Sequence, residues 1–139
     1  MTLGGRRSPS GRAAGIARVV MSLFYLLAGV AHLQAVDGFV AITPTWVPFP
    51  AAVIIVTGVC EILGAVGLWI PWLRWLSGLM LAIYAVCVFP ANIHHAFDHL
   101  VVAGLPSSWW YHAPRLAMQP VLVWAALLAG GVTRWPWRR

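Results

Sequence analysis

Charged side chains are scarce in this chain of 139 residues, where they make up 9% of the sequence and hydrophobic residues make up 61%. A soluble globular domain carries about 25% charged residues. The chain therefore has too few charges to cover a surface in water, which excludes an ordinary soluble domain. Its length is enough for one domain, and lipid is the expected surrounding.

Acidic residues are the rarest charged type, and lysine is absent, so all nine basic residues are arginines. A net charge of +6 is compatible with nucleic-acid binding, but the placement of the arginines argues against it. Eight of them lie at the chain ends or in the turn around Arg74, where they flank apolar segments. That distribution orients membrane proteins, so we expect the lipid bilayer as a partner and no nucleic acid.

Cysteine is also rare, and Cys60 and Cys87 both lie in apolar stretches without a CxxC motif. This excludes a zinc ribbon and a thioredoxin-type dithiol, and it predicts two small buried residues. The sequence also has no zincin motif, no phosphate-binding glycine loop and no clear Ser/His/Asp arrangement. Motifs therefore indicate neither a catalytic class nor a cofactor.

Four apolar segments are long enough to span a bilayer, which takes about 20 residues. They predict an all-α bundle of four transmembrane helices over residues 17–36, 51–70, 75–97 and 114–133. The expected membrane domain covers residues 16–134, between a flexible basic N-terminus (1–15) and a short basic tail (135–139). Pro114 is expected to start the fourth helix, because a first-turn proline loses no intrahelical hydrogen bond. The first segment could be read as a signal peptide, but its apolar run continues past any cleavage site.

The arginines also predict the orientation of these helices. All of them except Arg115 fall on one side of the predicted membrane. By the positive-inside rule both termini are cytoplasmic and the two long links face outward. We therefore expect a multi-pass protein of the cytoplasmic (inner) membrane of a bacterium.

Each predicted helix carries one stripe of small or polar residues at a spacing of three or four, which places them on one helical face. Such stripes face one another in membrane bundles, where small residues allow close approach and polar ones hydrogen-bond across helices. The stripes consist of Ser22, Tyr25, Ala28/Gly29 and His32, of Thr57/Gly58, Glu61 and Gly64/Ala65, of Ser77/Gly78, Leu81, Ala85, Phe89, Asn92 and His95, and of Arg115, Gln119, Leu122, Ala126 and Gly130.

Glu61 is the most informative member of these stripes, since it lies about ten residues, or about 15 Å, from the outer end of its helix. A lone carboxylate at that depth costs on the order of 3 kcal/mol, so it needs partners, and Arg115 and His32 are the natural ones. We expect one polar pocket that opens outward, formed by His32, Glu61, Asn92, Arg115 and Gln119. The alternative is that these groups are only hydrogen-bonding contacts that hold the bundle together.

The stretch "FPANIHHAFDH", residues 89–99, concentrates further polar side chains at the end of the third helix. His95 and His99 are four residues apart, as are His94 and Asp98, and each pair could chelate a metal on a helix. The position near the headgroup level favours an interfacial helix end, and a role in proton exchange is the third interpretation. We predict no metal and keep these four residues as weak candidates.

The chain resembles the DoxX-like family of small four-span membrane proteins in "FYLLAGVAHL", "PTWVPFP", "TGVCEILGAVGLWIP" and "FPANI". The resemblance implies that His32, Glu61 and Asn92 are recurrent polar positions. It also implies a link to membrane redox complexes, such as subunits of thiosulfate:quinone oxidoreduction, or to the maturation of secreted or membrane partners. The "HHAFDH" tail is not part of that pattern, and the redox-active dithiol of some relatives is missing.

Three functions remain open. The first is an accessory or assembly subunit of a membrane redox system, with a membrane or secreted redox protein as its partner. The second is a quinone- or lipid-binding oxidoreductase component, for which quinone is the possible cofactor and a cavity that opens sideways to lipid is expected. The third is a small proton-coupled carrier, which would act as a homo-oligomer because four spans are few for alternating access.

Overall fold

A computed structural model describes residues 9–97 and 108–136, and helices are the regular secondary structure found there. The prediction of an all-α protein is therefore confirmed. The helices are α1 Pro9–Gln34, α2 Val36–Ala41, α3 Pro50–Gly67, α4 Arg74–Cys87, α5 Phe89–Phe97, α6 Trp109–Ala117 and α7 Gln119–Gly130.

Four segments are long and apolar enough to cross a membrane, as the sequence predicts: Gly11–Gln34, Pro50–Gly67, Arg74–Phe97 and Trp109–Gly130. The first helix starts at Pro9, inside the segment expected to be a flexible N-terminus. Residues 1–8 and 137–139, which belong to the expected terminal segments, lie outside the described part of the chain. The first long link also contains α2, which was not expected.

The third and fourth spans are each interrupted near a proline. Pro90 and Pro120 have no backbone N–H, so neither can donate to the carbonyl oxygen one turn earlier in the helix. The breaks fall at Val88 and Met118. Pro114 instead lies inside α6, so the expectation that it starts a helix is wrong. Ser108 begins α6 earlier, because its hydroxyl accepts a hydrogen bond from the Trp110 N–H and caps the first turn.

Two facing pairs of glycines bring the long helices into close contact. A Cβ added at Gly29 of α1 would lie 2.6 Å from the Gly58 carbonyl oxygen of α3. A Cβ added at Gly78 of α4 would lie 2.5 Å from Gly130 Cα of α7. The chain thus forms two tightly packed units. We name them the first helix pair, which is α1 and α3 together with α2, and the second helix pair, which is α4 and α7 together with α5 and α6.

The two helix pairs join at the end that holds the Arg74 turn. Met21, Tyr25, Leu81 and Ala126 form a buried core there, and the Tyr25 hydroxyl donates to the Leu81 carbonyl at 3.1 Å. The contact is close enough that a Cβ on Gly64 would lie 2.6 Å from the Leu81 side chain. Toward the other end the helix pairs separate around a cavity.

The prediction that both cysteines are buried is wrong. Cys60 and Cys87 are free thiols, exposed on the outer surface of the bundle. Cys60 directly precedes Glu61, and Cys87 follows Ala85 by two residues. Each residue along a helix turns the side chain by about 100°, so both thiols are rotated away from these stripe positions. Both thiols therefore lie on surfaces that a bilayer would cover.

Candidate functional site

The cavity between the two helix pairs has a volume of about 730 Å³. All five residues predicted to form a pocket line it: His32, Glu61, Asn92, Arg115 and Gln119. The volume is within the range of about 300–1,000 Å³ that is usual for small-molecule sites. The structure thus brings the five predicted side chains to one cavity, although they form two separate hydrogen-bonded groups within it.

Glu61 forms the buried acid of the first group, with 3% of its surface exposed. Its Oε2 lies 2.6 Å from His32 Nδ1, as predicted. The same nitrogen is 3.0 Å from the Ala28 carbonyl oxygen, which can only accept, so Nδ1 carries the hydrogen and donates it there. Oε2 therefore lies close to the ring but off its N–H axis, and it has no hydrogen-bond donor among the described residues.

Two tyrosines complete the surroundings of Glu61. The Tyr84 hydroxyl, from the second helix pair, lies within hydrogen-bonding reach of Glu61 and of the Thr57 hydroxyl. Tyr25 lies beside it, with the two rings 6.2 Å apart. Glu61 thus contacts both helix pairs at the narrow end of the cavity, which we name the cavity floor. The predicted site omitted Tyr84, although it follows Leu81 of the polar stripe by three residues.

Arg115 organises the second group, which lies on the wall formed by α4–α7. It donates to Asn92 Oδ1 and, at 2.8 Å, to His95 Nδ1. Asn92 then donates to Gln119 Oε1 at 3.2 Å, and Gln119 donates to the Ala85 carbonyl. The amide groups of Asn92 and Gln119 each accept and donate in this series of hydrogen bonds, which holds the guanidinium group of Arg115 in place.

The prediction that Arg115 pairs with Glu61 is therefore wrong. Arg115 belongs to the second helix pair and its neighbours on α5 are closer, whereas Glu61 is carried by the first helix pair. Within the described residues Arg115 has no acidic partner, and its guanidinium carbon lies 5.7 Å from the centre of the Tyr111 ring. The cavity thus has an acid at its floor and, on one wall, a cation that neither Glu61 nor Asp37, the acids in the described part of the chain, neutralises.

The histidine-rich stretch divides between different partners. His94 Nδ1 lies 3.1 Å from the Ile42 carbonyl oxygen and connects α5 to the first helix pair. His95 is buried in the Arg115 group, with its ring 4.8 Å from that of His112. Residues 9–97 and 108–136 contain no group of three metal-ligating side chains. Two of the weak metal candidates, Asp98 and His99, lie outside the described residues.

Most of the remaining cavity wall is apolar, and it reaches the outer surface of the bundle. Phe24 and Met118 line the cavity on the side between α1 and α7, and both are exposed. Val53 and Cys87 do the same between α3 and α4. If the spans lie in a bilayer, these two flanks face the lipid chains, so an apolar molecule has access from the side.

The segment after α1 covers part of the cavity at the end away from Arg74. Phe39 of α2 packs on the His32 ring, with ring centres 4.0 Å apart. Ile42 is buried and lines the cavity, and its carbonyl oxygen is the one that His94 contacts. This segment therefore holds His32 in its position beside Glu61.

The chain belongs to the family described as Domain of unknown function (DUF8561), whose model matches residues 21–129. That range contains every residue named above as part of the cavity floor and wall. No curated protein and no solved structure matches the chain.

Proposed function

We propose that this member of the DUF8561 family binds a lipid-soluble molecule with an oxygen-bearing head group, of which quinone is the favoured class. The protein would act in the cytoplasmic membrane of a bacterium, with both termini cytoplasmic, as a component of a membrane redox system. The observation that carries the proposal is the buried Glu61 carboxyl at the floor of a largely apolar cavity, whose Oε2 lies 2.6 Å from His32 Nδ1 and accepts no hydrogen bond from the described residues.

The lining of the cavity supports a ligand that arrives through the bilayer. Ligand pockets are usually apolar, with a few convergent polar groups that fix orientation. Here the apolar flanks beside Phe24 and Cys87 are exposed, and the polar groups converge from both helix pairs. An isoprenoid or acyl chain would leave through a flank while the head group stays among the polar residues.

The hydrogen-bonding groups match a quinone and its reduced form. Arg115 retains N–H donors that can bond to a carbonyl oxygen, since residues 9–97 and 108–136 supply acceptors to Nη1 and Nη2 alone. Glu61 Oε2 can accept from a quinol hydroxyl. Each such bond to a charged group contributes about 1.5–3 kcal/mol, which is enough to favour this head group over a hydrocarbon.

The competing interpretation is that the polar residues only hold the helices together. Interhelical contacts of this kind do occur in the structure, such as Tyr25 to the Leu81 carbonyl. A purely structural role favours polar side chains that have hydrogen-bond partners, however, because a buried acceptor without a hydrogen bond costs about 1–3 kcal/mol. Within the described ranges Glu61 Oε2 accepts no hydrogen bond, and the His32 ring beside it donates to the Ala28 carbonyl instead. An orphaned acceptor in a cavity is expected where a ligand supplies the donor.

The proposal is tested by what the purified protein retains. In a mild detergent we expect wild-type protein to keep about one quinone per chain, measured by solvent extraction and chromatography. Arg115→Gln should reduce this content about tenfold, because it removes a charge-assisted hydrogen bond, whereas Arg115→Lys should keep part of it. Arg134→Gln removes an arginine that does not line the cavity and serves as the control. Equal quinone content in all four proteins, or none in any, would contradict the proposal.

A proton-coupled carrier is the second candidate, favoured by the two interrupted spans beside the cavity. Transporter binding sites are often formed by discontinuous helices at mid-membrane. The interruptions here are one residue long, at Val88 and Met118, which keep helical backbone angles and line this cavity. A proton or solute flux in liposomes that increases with protein concentration would favour this function. A redox partner that co-purifies would instead favour the accessory role.

A further inference from the structure

A groove at the arginine-rich end of the molecule lies apart from the cavity. It runs along the start of α1 beside Trp69 and has a volume of about 450 Å³. Arg12, Gly15, Arg18 and Val19 form its α1 side. By the positive-inside rule this end lies at the cytoplasmic surface of the membrane, where the groove would border lipid head groups.

Positive charge accumulates in this groove, and no acid of the described residues lines it. Arg12 forms no ion pair or hydrogen bond within the described residues. Arg18 donates through Nε and Nη2 to the Ala129 carbonyl at 3.3 Å, which fixes its guanidinium group. Arg74 is close enough to act on Arg18 electrostatically.

The described acids lie elsewhere, with Asp37 on α2 and Glu61 at the cavity floor. An anion that enters the groove would therefore meet attraction from several arginines and repulsion from neither of these carboxyl groups.

The shape of the groove adds an apolar side to this charge. The Trp69 indole N–H donates to Ser22 Oγ at 2.9 Å, which holds the ring beside α1 as a wall. A Cβ added at Gly15 would meet no atom within 4 Å, so the groove is open at that point. Ile16 and Val19 are exposed next to the arginines. The site combines cationic and apolar surfaces.

We propose that this groove binds an anionic phospholipid of the surrounding bilayer. The Arg12 and Arg18 guanidinium groups contact the head-group phosphate, and an acyl chain lies along Ile16 and Val19. Trp69 packs against the glycerol region. Arginine near the membrane surface attracts anionic lipid, and the fixed ring and the open position at Gly15 turn that attraction into a defined site.

Native mass spectrometry of the full chain in a neutral detergent, titrated with phosphatidylglycerol, tests this site. Arg12→Gln should weaken binding about fivefold, the effect of one arginine near an anionic lipid. Gly15→Leu should weaken it at least as much, because the new side chain fills the groove while every charge remains. Phosphatidylcholine with the same acyl chains should bind more weakly than phosphatidylglycerol.

Arg134→Gln is the matched control, since it removes one positive charge from the same end but does not line the groove. If Arg134→Gln weakens binding as much as Arg12→Gln, and Gly15→Leu has no effect, the attraction is diffuse and the site is disproved. Inorganic phosphate supplies the anionic group of the lipid without its acyl chains. If it competes as well as the phospholipid does, the lipid assignment is overturned.

Discussion

Replacing Glu61 with glutamine will weaken binding of the reduced quinol by about tenfold to a hundredfold, the loss expected for one hydrogen bond to a charged group. Glutamine has nearly the same shape and can still contact His32 and Tyr84. Removing a carboxylate from mid-membrane also removes a cost on the order of 3 kcal/mol. Thermal stability should therefore stay the same or rise while binding falls. Titration of the detergent-solubilised protein with a short-chain benzoquinol, kept reduced, measures the first effect, and a thermal melt measures the second.

This combination separates a ligand site from a structural contact. If Glu61 only held the two helix pairs together, its replacement would lower stability and leave any quinol affinity unchanged in the folded fraction. A fall in the melting temperature with no change in affinity would therefore contradict the proposed role of Glu61.

Adding one methyl group at Gly78 will destabilise the bundle by about 3 kcal/mol, the upper end of the usual cost of overpacking. The added Cβ of Gly78→Ala would lie 2.5 Å from Gly130 Cα and 2.8 Å from the Ala126 carbonyl oxygen. Both are backbone atoms, so α4 and α7 would have to move apart as units. Unfolding of the detergent-solubilised protein in a denaturing detergent measures the loss.

Gly15→Ala is the control for this prediction. Its Cβ would meet no atom within 4 Å, and alanine favours a helix over glycine by about 1 kcal/mol. The variant should be as stable as wild type or slightly more stable. Equal stability of the Gly78→Ala and Gly15→Ala proteins would contradict the close α4–α7 packing.

Most of the fold was predictable, because spans and stripes depend on local patterns. Apolar length determines the spans, and a spacing of three or four identifies the buried face. On the α3 stripe Gly58, Glu61 and Ala65 are buried, whereas Thr57 and Gly64 beside them are half-buried. The helix ends were less predictable. Pro114 is compatible both with the start of a helix and with an interrupted one, and the cap at Ser108 decided between them.

The pairing of polar groups was only partly predictable. His32 and Glu61 lie on helices that pack closely through Gly29 and Gly58, so their contact follows from the stripes. The partner of Arg115 depends on how far the two helix pairs separate, which no local pattern encodes. The separation creates the cavity and leaves Arg115 with His95 and Asn92.

Thiol labelling in membranes tests the central claim that this cavity opens to lipid and holds a ligand. Cys87 is exposed and lines the cavity, whereas Cys60 is exposed outside it. In single-cysteine variants, a lipid-soluble maleimide should label both thiols. Added benzoquinone analogue of a type that does not react with thiols should protect Cys87 and leave Cys60 labelled at its original rate. Equal labelling rates with and without the analogue at both positions would contradict the account.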